Sequence, residues 1–422
     1  MKISELRESV SHGALASYEN AYRNTENIRD RVISSLDSFL RAYGDVEAMI
    51  LSVPGRSEIS GNHTDHNSGI VLAGAIDRDV LAVAAKYTGE EIRISSEGYG
   101  ECRISLSDTK NKDNFKKYSS DALIGGVVDG FLKKGYKVGA FRAYITSNVL
   151  SGSGISSSAA YEVMLANILN HLYNGGKIPA RELACIARYA ENEYFGKPCG
   201  LMDQMACAVG GFVYIDFENA KSPLVEGVSF SLSDAGYSLA IINTGGSHAN
   251  LNEDYASVPR EMKGVAEFFG KSCLRSLTKE DVISNITALR AALGDRAVLR
   301  ALHFFYENDR VRKIKSALEK GDTSAFFKGI NESGSSSFKY LQNVYTTQNV
   351  KEQGLSLALA LLEKFLDGDG AARVHGGGFA GTVQVFLKSE RISELVALMD
   401  GVFGKGSTMI LNVVRDGAVR LI

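Results

Sequence analysis

A turn built of glycine and serine, set between a strand and a helix, restricts this chain more than any other feature. Residues 141–149 carry the apolar clustering of a β-strand, and a helical pattern runs from about 159 to 173. Between them lies Ser151-Gly152-Ser153-Gly154-Ile155-Ser156-Ser157-Ser158. Glycines let main-chain N–H groups approach an oxyanion closely, and the new helix turns its positive end toward it. Three consecutive serines add hydroxyls that can touch phosphate oxygens or a magnesium ion. No Lys-Ser or Lys-Thr follows the glycines, so this is not a Walker loop. A serine stands where the dinucleotide fingerprint needs its third glycine. Phosphate binding is the expectation, against the alternative of a flexible turn capped by serine.

The chain has 422 residues, more than one hydrophobic core usually serves, so two domains or one two-lobed unit are expected, with a division near residue 220 (1–220 and 221–422). The 47 Lys and Arg nearly balance the 49 Asp and Glu, which argues against a broadly basic nucleic-acid-binding protein. Five cysteines form no CxxC pair and leave an odd count, which fits a reducing compartment better than a disulfide framework. The first residues lack the apolar stretch of a secretory signal, and no apolar run reaches membrane-spanning length, so a cytoplasmic location without membrane partners is expected. Residues 28–43 read as an amphipathic helix, and 48–53 as a short strand stopped by Pro54 and Gly55. Strands are expected at 80–87, 91–95, 211–217, 238–243 and 382–387, a helix at 179–194, and mainly helices from 261 to 362. The segment before residue 48 reads as a helical cover on the first lobe rather than a partner-binding arm.

Three further stretches carry possible chemistry. His375-Gly376-Gly377-Gly378-Phe379-Ala380-Gly381 places four glycines in six residues, which a tight connection alone does not explain. Gly55-Arg56 leads into Gly61-Asn62-His63-Thr64-Asp65-His66-Asn67, where Asp, Asn and His could hold sugar hydroxyls or simply form an Asx-rich turn. Asp203, in Cys199-Gly200-Leu201-Met202-Asp203-Gln204, reads either as a helix-entry cap or as an acid at a reacting hydroxyl. Glu191 and Glu193 read as solvated helix charges or as a source of a metal-binding carboxylate, and spacing alone does not decide.

Taken in order, these motifs resemble the sugar kinases of the GHMP superfamily, and within it the galactokinases. The match rests on Pro54-Gly55-Arg56 through Asp65, on Gly152 through Ala160, and on Gly376 through Gly381, with Cys199–Gln204 and Asn331-Glu332-Ser333 as further family-like stretches; it runs from about residue 48 to 390. The resemblance implies an α/β (α+β) fold of two lobes with mixed sheets and helices and the site between them. It implies an ATP-dependent, magnesium-assisted transfer of phosphate to the anomeric hydroxyl of galactose. Asp203 then matches the acid at that hydroxyl, and Arg56 the arginine between it and the transferred group. Gly152, Ser153, Gly154, Ser156, Ser157 and Ser158 match the ATP phosphate cradle, and Ser158 and Glu191 the magnesium ligands. Asn62, His63, Asp65, Gly200 and Tyr255 match positions at the sugar. The sequence departs from the family at Asn62, where glutamate is usual, and at His66, where tyrosine is usual. An amide at residue 62 could accept a C6 carboxylate, so galacturonate and arabinose stand beside galactose as candidate substrates. A non-catalytic sugar sensor is the other alternative, disfavoured because Ser156 through Ala160 is complete.

Overall fold

The computed structural model describes residues 1–22, 27–149, 154–197, 199–219, 222–246 and 251–422. Its strands, in chain order, are β1 (Met49–Ser60), β2 (Ile70–Lys86), β3 (Glu91–Ser96), β4 (Glu101–Ser105), β5 (Phe141–Ser147), β6 (Phe212–Asp216), β7 (Leu224–Val228), β8 (Tyr237–Asn243), β9 (Gly370–His375), β10 (Thr382–Lys388), β11 (Thr408–Leu411) and β12 (Val419–Arg420). The chain divides into two compact units, each discontinuous in sequence. The first is Met1–Arg56, Ala75–Gly211 and Val414–Ile422; the second is Ser57–Gly74 and Phe212–Val413. A single cut near residue 220 therefore misses two excursions: Ser57–Gly74, which takes the end of β1 and the start of β2 into the second unit, and the C-terminal Val414–Ile422, which returns to the first.

In the first unit the strands follow the order β12-β1-β2-β5-β3-β4. β3 pairs with β5 in parallel, while β2–β5, β3–β4 and β1–β12 are antiparallel, which makes the sheet mixed. The N-terminal helices Ile3–Ser11 and Ile28–Tyr43 bury Ile3, Leu6, Val10, Val32, Leu36 and Phe39 in one core with Ile50, Leu81 and Val83 of the sheet. Tyr18 donates to the buried Asp79 at 2.7 Å and Arg31 pairs with it at 2.8 Å. The segment before residue 48 is thus a cover that this unit needs for its own core. The helix expected at 159–173 starts at Ser157, so the last two serines of the turn already lie inside it.

In the second unit β6 pairs with β7 and with residues Ile70–Gly74 of β2. A separate antiparallel sheet has the order β11-β8-β10-β9. The register Thr382↔His375 makes Gly376–Gly381 the connection between β9 and β10. Helices fill the rest, notably Asn252–Phe268, the 25-residue Asp295–Glu319 and Thr323–Ser336. Among the described residues, no helix is long and apolar enough to cross a membrane.

β1 runs through Pro54 and Gly55 instead of stopping there. Proline supplies no N–H, but its fixed φ suits extended chain. Every residue of β1 is buried. The glycine has a packing reason: a Cβ at residue 55 would stand 2.8 Å from the Ile155 carbonyl oxygen and 3.0 Å from Val149 Cγ1. The strand is thereby laid against the serine turn, and the Arg56 amide donates to Ile155 O at 3.2 Å.

Candidate active site

In the first unit, β1 delivers Arg56 and the start of helix Met202–Val209 delivers Asp203. They meet in a two-pronged ion pair, Arg56 Nε to Asp203 Oδ1 at 2.7 Å and Nη2 to Oδ2 at 2.8 Å. The remaining guanidinium nitrogen, Nη1, donates to Gly154 O at 2.6 Å. Ser156 Oγ donates to Asp203 Oδ2 at 2.5 Å. Ser156 itself holds φ +62°, in the left-handed region that a non-glycine residue enters only where its surroundings impose it. Burial alone would raise the Asp203 pKa, but the Arg56 charge and the hydrogen bonds from Arg56 and Ser156 bring it below the usual carboxylate value. Its side chain keeps 35% exposure, so the carboxylate is ionised and reachable.

A second cluster forms around Glu191, which is almost fully buried in a π-helical turn, Ala190–Phe195. Such wide turns recur at functional positions. Glu191 Oε1 receives Lys197 Nζ at 3.0 Å and Ser158 Oγ at 3.5 Å, and Oε2 receives Gln204 Nε2 at 2.7 Å. Gln204 also donates to Glu162 at 3.2 Å. Burial first, and then the Glu191 charge, push the Glu162 carboxyl well above its ordinary value. Ser158 and Glu191 are hard oxygen donors within one contact of each other, which suits magnesium, an ion that completes its shell with water and phosphate oxygens. Lys197 reaches Glu191 from a half-exposed position, so the buried carboxylate already faces one positive charge.

The second unit gathers its own set. Asn62 is buried and its amide is saturated. Nδ2 donates to Glu58 at 3.0 Å and to Gly376 O at 2.7 Å, while Oδ1 accepts from Asn343 at 2.7 Å and Ser337 at 3.3 Å. Glu58 is paired at 3.0 Å with the fully buried Arg373. His63, at φ +57°, lies 2.9 Å from Gly377 O through Nε2. Since a carbonyl only accepts, that nitrogen carries the proton, and burial holds the imidazole down to about 4, hence neutral. Tyr255 donates to Gly378 O at 2.8 Å. Asp65 accepts from the His66 amide at 3.0 Å, and the His66 ring is exposed.

Two family models match the chain: GHMP kinases N terminal domain over residues 122–211, and galactokinase galactose-binding signature over residues 37–86. The galactokinase of Thermotoga neapolitana is 32% identical over 368 residues, covering 87% of this chain and 94% of that protein. The chain belongs to the galactokinase family. The Clostridium tetani galactokinase is 28% identical over 377 residues, covering 88% of this chain and 91% of that one. The crystal structure of Lactococcus lactis galactokinase complexed with galactose matches with TM-score 0.77 at 22% identity, over 92% of this chain and all of that one. Methanococcus jannaschii mevalonate kinase matches with TM-score 0.61 at 14% identity, over 87% of this chain and 99% of that one. Both structures have the same fold as this chain, and the expected mixed α/β class is borne out.

Within this galactokinase-family chain, Arg56, Asp203, Gly154, Ser156, Ser158 and Glu191 come together as two adjoining clusters joined by Asp203-Gln204. Ser157 is the first residue of its helix, and Gly200 lies two residues before helix Met202–Val209. Gly152 and Ser153 lie outside the described residues. Asn62 is a correction: with both amide hydrogens and its oxygen used inside the protein, it has no donor left for a sugar. The argument that an amide at residue 62 welcomes a C6 carboxylate loses its basis, because that amide already serves Glu58 and Gly376. Sequence reasoning missed Lys197, Glu162, Glu58, Arg373 and Asn343. Gln204 was visible beside Asp203, but Asn343 stands 281 residues from its partner Asn62 and nothing local marks it.

Proposed function

We propose that this phosphotransferase is a galactose 1-kinase, moving the γ-phosphoryl group of ATP to the anomeric hydroxyl of D-galactose and releasing galactose 1-phosphate and ADP. The Arg56–Asp203 pair, tied to the serine turn through Gly154 and Ser156, carries the reading. An acid that only capped its helix would not need a two-pronged arginine whose third arm reaches the turn.

An ionised Asp203 is a weak base, so it does not strip the hydroxyl in advance. In a loose transition state the O–P bond to ADP breaks early and the hydroxyl proton leaves late. Asp203 then orients the hydroxyl and receives its proton as the new O–P bond forms. Arg56 holds that carboxylate in place and offers fixed positive charge where phosphoryl charge spreads. Ser156, Ser157 and Ser158, at the positive end of helix Ser157–Tyr173, supply hydroxyls and N–H groups for the nucleotide phosphates. Magnesium, held by Ser158 and Glu191, would supply charge neutralisation on those phosphates. Asp65, His63 and Tyr255 are assigned to the sugar side, as contacts or as supports of the glycine connection.

A coupled assay for ADP release with galactose, galacturonate and arabinose tests this directly. Galactose-dependent release with a large preference over galacturonate is expected. Absence of release with every sugar would leave a sensor, and equal turnover of galacturonate would restore the uronate reading.

A further inference from the structure

The two oxygens of Glu191 are held by groups that differ in kind. Lys197 and Ser158 reach Oε1 from 3.0 and 3.5 Å, while Gln204 Nε2 donates to Oε2 at 2.7 Å. The same amide nitrogen donates to Glu162 Oε2 at 3.2 Å, so its two hydrogens serve two carboxyl groups. Cys199 Sγ, at 3.6 Å, is a weaker contact of that nitrogen. Glu162 and Gln204 are fully buried. Three elements of the first unit supply the set. Ser158 and Glu162 lie one turn apart on the same face of helix Ser157–Tyr173, Glu191 sits in the π-helical turn, and Gln204 follows Asp203 in helix Met202–Val209.

The direction of the Gln204 amide is set by its neighbours. Glu191 accepts from the Lys197 ammonium, and an amide turned over would place a second acceptor against its Oε2. With its NH₂ toward Glu191, Gln204 leaves its own Oε1 buried with no hydrogen-bond partner among the described residues, and Glu162 Oε1 is in the same state. Buried polar atoms left this way call for a reason beyond packing. An unbranched apolar side chain would fill the place of Gln204 without that cost, so the donor itself is what this position requires.

The result is a carboxylate with one oxygen committed to the interior and the other, beside Ser158 Oγ, turned to the metal side. Magnesium is small and holds near-ideal octahedral geometry, whereas calcium takes a larger, irregular shell that includes carboxylates bound through both oxygens. Tying down one oxygen of the ligand therefore works against calcium and leaves magnesium a single, oriented donor.

We propose that Gln204, itself fixed by Glu162, is a positioning residue that holds Glu191 Oε2 and so makes the site select magnesium over calcium. The role rests on the reading of Ser158 and Glu191 as the magnesium ligands.

The test uses the full chain with ADP at a fixed, saturating concentration and follows the rise in melting temperature as magnesium or calcium is added, a binding signal that needs no turnover. The wild-type midpoint should lie at a lower concentration for magnesium than for calcium. Gln204→Met keeps the side chain's length and removes its hydrogen bonds. Its magnesium midpoint should rise about 10- to 100-fold, the usual cost of losing a group that orients a metal ligand, while the calcium midpoint moves less than about threefold. Glu162→Leu leaves the amide without its second anchor and should shift the ratio in the same direction, so the proposal stays readable if Gln204→Met does not fold. Glu162→Gln still offers Gln204 an acceptor and should keep the wild-type ratio. A wild-type chain without a magnesium preference overturns the proposal. So does a Gln204→Met chain whose two midpoints move together, or a Glu162→Gln chain that behaves like Glu162→Leu. The magnesium-ligand reading fails separately, since Glu191→Gln would then leave the magnesium midpoint at its wild-type value.

Discussion

Replacing Asp203 by asparagine keeps the shape of the site and removes one charge. In the wild type the carboxylate accepts from Arg56 Nε, Arg56 Nη2 and Ser156 Oγ, at 2.7, 2.8 and 2.5 Å. Asparagine keeps one oxygen; its NH₂ must face a guanidinium N–H or the serine hydroxyl, and Arg56, only 9% exposed, loses its counter-charge. A hydrogen bond to a charged group contributes about 1.5–3 kcal/mol. Because the Asp203 side chain is 35% exposed, water replaces part of this and the stability loss should be only about 1–2 kcal/mol. The kinetic loss is larger. A positioned acid–base group contributes roughly 10²–10⁴ in rate, or about 3–5 kcal/mol of barrier. At 25 °C the variant should therefore be folded, bind sugar with a dissociation constant within a few-fold of wild type, and turn over about 10²–10⁴ times more slowly. Circular dichroism, a sugar-binding isotherm and coupled ADP release measure the three quantities. Turnover within tenfold of wild type, in a folded variant, would remove Asp203 from the chemistry.

Three other outcomes follow from the same geometry. Ser158→Ala and Glu191→Gln should each raise the magnesium concentration for half-maximal rate by roughly tenfold or more and weaken the magnesium-dependent thermal shift with nucleotide; an unmoved magnesium titration would reassign both residues. Gly55→Ala should destabilise by about 1–3 kcal/mol because its Cβ meets the Ile155 carbonyl oxygen at 2.8 Å, whereas Gly227→Ala, with nothing within 4 Å, should be neutral or stabilise slightly; equal melting temperatures for the two variants would contradict the packing account. Glu307 is buried, which alone would raise its pKa, yet Arg310, His303, Arg373 and the Ser333 hydroxyl bring it down to about 2. A depressed carboxylate contributes stability that is present above its unfolded value of 4.5 and is lost as pH falls toward 2, so the stability gap between wild type and Glu307→Gln should narrow over that window. A gap that stays constant from pH 5 to pH 2 would show that Glu307 does not titrate as described.

Much of the first-unit site was legible before any fold was known. The serine turn and the helix behind it announce themselves because a local strand–turn–helix pattern and a glycine composition are properties of adjacent residues. The covering helix Ile28–Tyr43 was also readable, since its buried face repeats at helical spacing. Strands β1 and β2 were harder. They are buried on almost every residue, so the alternation that marks a half-exposed strand is absent, and Pro54 read as a stop although the strand continues to Ser60. The division of the chain is hidden in the sequence for a related reason: a long strand that serves two units leaves no change of composition at the crossing point.

The order of residues by itself determined which chemistry the chain can hold: a phosphate-sized turn, an arginine, an acid and enough glycine to bare the backbone at β9–β10. Only the tertiary structure decided what each side chain does there. Asn62 reads as a sugar ligand in the sequence and is a saturated interior amide in the fold, because its partners Glu58, Asn343 and Gly376 come from three separate stretches of chain. Hydrogen-bond capacity is finite and is used up by whichever partners folding brings near, and that allocation cannot be read from spacing along the chain.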